Sequence, residues 1–423
     1  MTNDSRTNAD TLAPPPAPPA TAQRWLPVLA VALATFTVVS SEMMPVGLLT
    51  EMSHGLGVSD GVTGLSLTIT GLVAAALAPF APRLVGRRER RAVLVTAVLL
   101  LALANALSAL APDFAVLAAG RILLGAAMGV VWGLVAGIGP RLAEGPRTAL
   151  AMTLVFSGVS IASVLGVPLG TYLAALSDWR FAFWTLAALG AVCAAVLAAA
   201  LPPLPAPSSP APSVHGGRRP DGPAGALRHR GVAVGIAATA FVVLGHFAGF
   251  TYVRPALEAG AGPSSGVIAG CLLVYGVAGV AGNFTLGPLS GRHPKAAVAA
   301  ALGGVALAAA LLPLAAGGLV TVLLVLVLWG VSYGGVSVAT QAWVRTAAPA
   351  VTEASAAVWA GVFNAGIALG SLAGGLVVDR AGHRAVLLTA AGLAAAGLLL
   401  TLLSPPPGGL PGARPDRPSR PAG

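Results

Sequence analysis

Four polar side chains stand inside long apolar runs: Glu42 in TVVSSEMMPVGLL, Arg121 in GRILLGAAMG, His246 in FVVLGHFAGFTYVRP and Asn364 in GVFNAGIALG. A carboxylate changes its proton occupancy when its surroundings change. Desolvation favours its neutral form, and a neighbouring cation favours its charged form. Glu42 and Arg121 supply those two types, so Glu42 reads as a proton carrier and Arg121 as a fixed cation that pairs with it or steers it. The competing uses are a helix–helix hydrogen bond for Glu42 and a bond to backbone carbonyls for Arg121. Histidine titrates close to neutrality, so His246 either exchanges protons or simply hydrogen-bonds a solute or a neighbouring helix. Asn364 offers an amide for the same two purposes.

Other chemistries find no support. No pair of carboxylates or His/Asp grouping has the spacing of an active site or metal centre, and no P-loop pattern occurs. The two cysteines, Cys193 and Cys271, lie in apolar runs and read as small buried residues, without disulfide or metal. No enzyme activity, cofactor or metal site is expected.

Composition defines the elements that must hold these groups. Hydrophobic residues make up 56% of the 423 positions and charged residues 9%, against roughly a quarter charged in soluble domains. Lipid has to be the solvent for much of the chain. A spanning helix needs about 20 mostly apolar residues, and the apolar runs predict twelve: 25–49, 60–82, 92–111, 114–139, 148–174, 180–202, 231–253, 265–289, 296–315, 318–344, 352–377 and 385–403. The Pro112–Asp113 break makes a very short turn between the third and fourth. The fold expected is an all-α membrane protein with two six-helix bundles, 24–202 and 231–403, joined by a Pro-rich linker at 203–230. Residues 1–23 and 404–423 read as disordered cytoplasmic tails, and the first of these lacks the apolar core of a signal peptide.

Lys/Arg placement sets the orientation. With the N-terminus inside, one side collects Arg83, Arg87, Arg88, Arg90, Arg91, Arg141, Arg147, Arg218, Arg219, Arg228, Arg230, Arg292, Lys295 and Arg345. The other holds Arg180, Arg254, Arg380 and Arg384. Both termini are therefore expected in the cytoplasm. Topology and contact with anionic lipid account for the net charge of +10, and no nucleic-acid partner is needed. The Ala/Gly/Pro/Arg bias fits a GC-rich bacterial origin.

Depth follows from the ~1.5 Å rise per helical residue. Glu42 comes ~26 Å above the cytoplasmic start of its helix, and Arg121 ~10 Å below the outer start of its own. His246 and Asn364 fall at comparable outer-half levels. Trp132, Trp329 and Trp359, with Tyr252, are candidates to line a central cavity with Asn364, packing being the alternative. Trp343 is placed at the cytoplasmic interface as an anchor.

In order along the chain these motifs resemble the major facilitator superfamily, in particular its twelve-helix drug/proton antiporter branch. GRILLGAAMG matches the Arg-x-x-x-Gly element through Arg121 and Gly125. SVLGVPLGTYL is similar to the antiporter motif, with Gly158, Gly166, Pro168 and Gly170. SDWRFAFW, through Asp178, Trp179 and Arg180, matches the turn before the sixth helix. FNAGIALGSLAGG in the eleventh resembles the same branch. SSEMMPVGLLTEM and GHFAGFTYVRP resemble bacterial exporters of sugars and purine ribonucleosides. The loop after the second helix departs from the superfamily pattern. PRLVGRRERR keeps Arg87, Arg90 and Arg91, but Gly86 stands in the aspartate position, so either Glu89 substitutes for part of it or the gate relies on the basic cluster and lipid. The second-half equivalent, GPLSGRHPK, keeps Arg292.

The resemblance implies a monomeric secondary transporter in the bacterial cytoplasmic membrane that exports a small drug-, nucleoside- or sugar-like solute in exchange for protons by alternating access. A proton-coupled importer or uncoupled facilitator of the same fold is the alternative. A membrane-embedded enzyme or receptor lacks both a catalytic cluster and a soluble domain.

Overall fold

The computed structural model describes residues 25–81, 85–86, 88–138, 141–143, 147–205, 223–259 and 263–407. The expected tail 1–23, residues 408–423 of the other expected tail, most of the linker and Arg87 of the loop motif lie outside the described residues.

The N-terminal half consists of α1 (Leu26–Leu56), α2 (Asp60–Leu77), α3 (Arg90–Ala109), α4 (Phe114–Ile138), α5 (Arg147–Leu176) and α6 (Trp179–Ala200). The C-terminal half begins with α7 (Arg230–Phe250), which a short helical turn, Val253–Glu258, extends. It continues with α8 (Ser265–Arg292), α9 (Pro294–Leu311) and α10, which runs as Leu319–Gly334 and then Val336–Ala347. The last helical stretch, Thr352–Leu403, is broken at Gly382 (φ 80°, ψ 177°) into α11 and α12. Among the described residues eleven helical stretches are long and apolar enough to cross a membrane, and the last, Ser355–Leu403, is broken at Gly382 into two, which makes twelve helices in two bundles of six. Among the described residues there is no strand. Leu103, Val192, Phe284, Leu324 and Leu399 point outward from the bundle, as side chains solvated by lipid do. Helices satisfy their own backbone groups, which a lipid-facing segment requires.

Helix boundaries follow local chemistry. Asp178 caps α6 by accepting the Phe181 N–H at 3.0 Å, and Ser59 caps α2 through Val62 at 3.1 Å. α1 runs two turns beyond its predicted end. Nothing stops it before Gly57, whose left-handed backbone (φ 64°) forms the C-cap. Glu51 and His54 are thereby carried on the helix.

The halves repeat in register. In α3, Arg91 donates to the Ala198 carbonyl at the end of α6, 107 residues on. In α9, Lys295 donates to the Leu402 carbonyl at the end of α12, again 107 residues on, at 2.9 Å. The shift that carries Arg91 onto Lys295 also carries Gly166 and Gly170 of α5 onto Gly370 and Gly374 of α11. The first pair packs on Ser40 and Met44 of α1, the second on Leu244 and Ala248 of α7. The same shift carries Glu42 onto His246.

Each half therefore has a polar face, where linker residues 203–205 lie, and a far face. At the linker face Glu89 accepts the Leu204 N–H (3.3 Å), the Arg90 N–H donates to the Leu204 carbonyl (2.9 Å), and Arg141 donates to the Pro205 carbonyl (3.0 Å). Toward the far face, α2 packs along α11, α5 along α8, and α1 on the Val253–Glu258 turn, closing the two halves together.

Candidate functional site

Glu42 is buried on α1. Among the described residues its carboxylate has no hydrogen-bond or ion-pair partner. It lies in electrostatic range of Tyr333 on α10, in the opposite half. Three residues further on, Pro45 has no N–H, so the Ser41 carbonyl loses its helical donor. Arg121 of α4 fills that vacancy, with Nη1 donating to the Ser41 carbonyl at 3.0 Å. Its Nη2 meets the Ser108 hydroxyl at 3.3 Å, and its guanidinium lies 4.7 Å from the Phe183 ring centroid. Asn105 completes the cluster by donating to the Ser41 hydroxyl at 2.9 Å. Arg121 thus reaches the level of Glu42, as the depth arithmetic predicts, but on the inner side of its own bundle. The two side chains are not paired; Arg121 holds a backbone carbonyl.

His246, at the equivalent place on α7, sits in an aromatic box. Tyr333 stacks on it with centroids 3.4 Å apart, and Phe250 at 4.9 Å. Phe247 and Trp329 meet it edge-on at 4.9 and 5.8 Å. The Trp329 indole N–H donates to Nδ1 at 3.0 Å, so in the neutral ring the proton is on Nε2. Tyr333 is therefore stacked on His246 of its own half and lies within electrostatic range of Glu42 of the other. Its sequence context, WGVSYGGVS, has no period or motif that singles it out.

The expected cavity residues divide. Trp329 and Tyr252 are fully buried: Trp329 belongs to the aromatic box, and the Tyr252 hydroxyl donates to the Ser371 carbonyl at 2.8 Å. Trp132, Trp359 and Asn364 are half-buried. Trp359 donates to the Thr340 hydroxyl at 2.9 Å, and Asn364 to the Ala360 carbonyl of its own helix at 2.8 Å. The interfacial placement of Trp343 is corrected. It is fully buried, with its indole N–H on the Gly231 carbonyl at 2.9 Å, because α10 turns it toward α7 rather than toward headgroups.

The small residues of α5 do what close approach requires. A Cβ at Gly158 would meet the Ala32 carbonyl and Thr35, and one at Gly170 would meet Met44. Pro168 leaves the Val164 carbonyl without its helical donor, and Val164 is the residue that Gly276 of α8 packs against across the halves. In the loop motifs, Arg91 caps α6, Glu89 and Arg90 grip the linker start, and Arg292 lines a cavity of about 580 Å³ at the linker face.

Hydrogen bonds join the halves toward the far face. Arg254 binds the Gly47 carbonyl and Glu51 of α1. Asp379 accepts from the Ser59 hydroxyl (2.7 Å) and the Gly61 N–H (2.9 Å), His383 meets Asp60 (3.1 Å), and Thr68 donates to the Ala368 carbonyl (3.0 Å). Arg254 and Asp379 count in the sequence only as loop charges, because their partners are hundreds of residues away.

A family model described as the Major Facilitator Superfamily matches residues 31–358. The chain is 32% identical over 386 residues to the protein named Transcription regulatory protein OpdE from Pseudomonas aeruginosa, covering 90% of this chain and 94% of that one. It is 31% identical over 384 residues to the Purine ribonucleoside efflux pump NepI from Escherichia coli, with the same 90% and 94% coverage. Among solved structures, a nucleoside transporter NupG variant superposes with a TM-score of 0.71 at 14% identity, covering 89% of this chain and 98% of that one. A bacterial homologue of the human lysosomal transporter Spinster, described as inward-facing and unoccupied, gives 0.68 at 16%, covering 91% and 97%.

Proposed function

The chain belongs to the Major Facilitator Superfamily, and from that premise we propose that it exports a small organic solute from a bacterial cell in exchange for protons. It is a multi-pass membrane protein and not an enzyme. The linker face, rich in arginine, is the cytoplasmic side, with both termini there. The bundles are 24–202 and 231–403, and the chain works as a monomer. The state described here is shut to the outside, because the far-face contacts close the two halves together.

One observation carries the reading: Glu42 is a buried carboxylate with no hydrogen-bond or ion-pair partner among the described residues, within electrostatic range of Tyr333, which stacks on His246 of the other half. A charge left unpaired at that depth is costly, so neutralisation by a proton is the natural way to hold it there. When the halves rock apart at the far face, the same carboxylate is exposed to the other side. The inward proton drive is worth ~2.3 kcal/mol per 100 mV of membrane potential, sufficient to move a solute uphill. Arg121, fixed on the Ser41 carbonyl, holds the helix segment that presents Glu42. Gly158, Gly166, Pro168 and Gly170 let α5 bear closely on α1 while the halves move.

The solute is neutral or weakly charged, since few charges face the junction. The stacked rings around His246 suit a planar base, and the relative NepI is named for purine ribonucleoside efflux. Purine nucleosides are therefore the first solutes to test. Purified protein in proteoliposomes is challenged with purine nucleosides, sugars and antibiotics while internal pH is followed. Solute-triggered proton movement that Glu42→Gln abolishes supports the exchange. Transport without any proton signal makes the chain a facilitator and ends the assignment of Glu42.

A further inference from the structure

Arg254 is almost fully buried, with 1% of its side chain exposed, and it holds one carboxylate from each half. Glu51, on α1 of the N-terminal half, pairs with its Nη2. Glu258, one turn along its own helix, pairs with Nε at 2.9 Å. Nη1 binds the Gly47 carbonyl, which also accepts the Thr171 hydroxyl of α5 at 2.9 Å. Ser265 at the start of α8 accepts from Nη2 at 3.3 Å. One side chain thus ties α1 and α5 of the first half to the turn after α7 and to α8 of the second.

Two details point beyond a static tie. Glu51 Oε2 is buried and has no hydrogen-bond partner, although Oε1 is fully engaged. Buried polar atoms without partners are few in native structures, and each needs a reason. The Glu51 side chain as a whole is 29% exposed, so the shielded Oε2 lies just beneath the far-face surface. The group carries one positive and two negative charges, and one proton brings it to neutrality.

The geometry points to Glu51 as a second proton site, separate from Glu42, whose protonation from outside releases the outer gate. This rests on the reading of the far face as external. A proton added to Glu51 removes the charge that draws Arg254 across the junction. Arg254 is not stranded by the loss, because Glu258 stays with it when the halves part. A guanidinium with a carboxylate in only one half would have to leave its partner entirely, and a buried unpaired charge resists that. The remaining titratable groups on the elements that meet this end of α1 are His54 on α1, Asp113 at the α3–α4 turn, which accepts the Val116 N–H at 3.0 Å, Asp178 and Arg180 at the α5–α6 turn, and Asp60, Asp379, Arg380, His383 and Arg384. Asp60, Asp379 and His383 form their own bonds between α2 and α11, and Arg180 binds the Ala111 carbonyl at 3.0 Å. None of these supplies Arg254 with a substitute for Glu51.

The test reads the gate directly and needs no substrate. Spin labels are placed at Ser177→Cys and Ser264→Cys, exposed positions at the far-face ends of opposite halves, with Cys193 and Cys271 replaced by alanine. Electron-electron distance distributions are recorded in nanodiscs, where both faces meet the same buffer, across a range of buffer pH. The labelled protein should gain a longer-distance population as pH falls, with the open-to-closed ratio rising by no more than about tenfold per pH unit, the limit for one proton. Glu51→Gln should be open at neutral pH, with less than about a twofold response across the same range, while Glu258→Gln keeps the response. A flat titration in otherwise native protein, or an unchanged titration in Glu51→Gln, overturns the proposal. The first of these results stands even if the variant fails to fold. Loss of solute–proton exchange with the distance titration intact would instead count against the exporter reading alone.

Discussion

The two halves share one scaffold and differ in what they hold at the same place on it. On α1 that place is Glu42, without a partner among the described residues and next to a proline-freed carbonyl that Arg121 occupies from behind. On α7 it is His246, closed into rings and hydrogen-bonded by Trp329. The repeat preserves backbone geometry, as the matched Arg91–Ala198 and Lys295–Leu402 bonds demonstrate. Chemistry has been divided between the copies: an ionisable group in one, and a stacking and hydrogen-bonding surface in the other. A machine that rocks two rigid bundles needs like packing in both, whereas binding a solute and a proton together needs unlike side chains at the junction.

The strongest way to break this comparison is to exchange the two roles. His246→Glu in a Glu42→Gln background returns a carboxylate to the junction, but inside the aromatic box, where it forfeits the Trp329 bond. Solute–proton exchange should stay lower by about a hundredfold or more, the usual scale for removing a proton-transfer group. Recovery to within a few-fold in a liposome pH assay would mean the halves are interchangeable at this position.

The polar cluster behind Glu42 has no counterpart in the second half, and Arg121→Met probes it. Removing the guanidinium leaves the Ser41 carbonyl buried and unpaired, at a cost of about 1–3 kcal/mol. In a Pro45→Ala background the helix supplies its own N–H to that carbonyl, so the same substitution should cost less. Thermal unfolding of the four proteins of this cycle in detergent measures the difference.

Equivalent glycines give a subtler contrast. A methyl at Gly374 meets the Ala248 backbone carbonyl and the Tyr252 ring, neither of which yields easily, whereas at Gly170 it meets the flexible Met44 thioether. Gly374→Ala should therefore destabilise by about 1–3 kcal/mol, the range for overpacking, and Gly170→Ala by less. Equal melting shifts would show that the contacts of α5 and α11 are alike after all.

The smallest effects belong where the halves agree. Arg91→Ala and Lys295→Ala each remove a cation from helix-terminal carbonyls, and each should cost about 0.3–1 kcal/mol. Unequal losses in the same unfolding measurement would sharpen the asymmetry rather than the repeat.

Much of the architecture is written in one dimension. Bilayer thickness demands runs of about 20 apolar residues, so the twelve helices are legible from composition alone. A constant rise per residue sets depth, which is why Glu42 and Arg121 come to one level as expected. The end of α1 is less legible, because Glu51 and His54 have the polarity of loop residues while the cap that ends the helix is Gly57.

Azimuth and partnership were decided only by the fold. Whether Arg121 faces Glu42 or the interior of its bundle depends on how α4 rotates against α1. That rotation is set by the packing of many small residues rather than by any one of them. Arg254 and Glu51 lie 203 residues apart, and Glu89 meets the linker 115 residues on. Local spacing carries no trace of such pairs, because they exist only once two bundles have docked. Segment length and depth are properties of a chain in a bilayer and were determined by sequence; the direction each charge faces is a property of helices packed against each other, and the tertiary structure alone decided it.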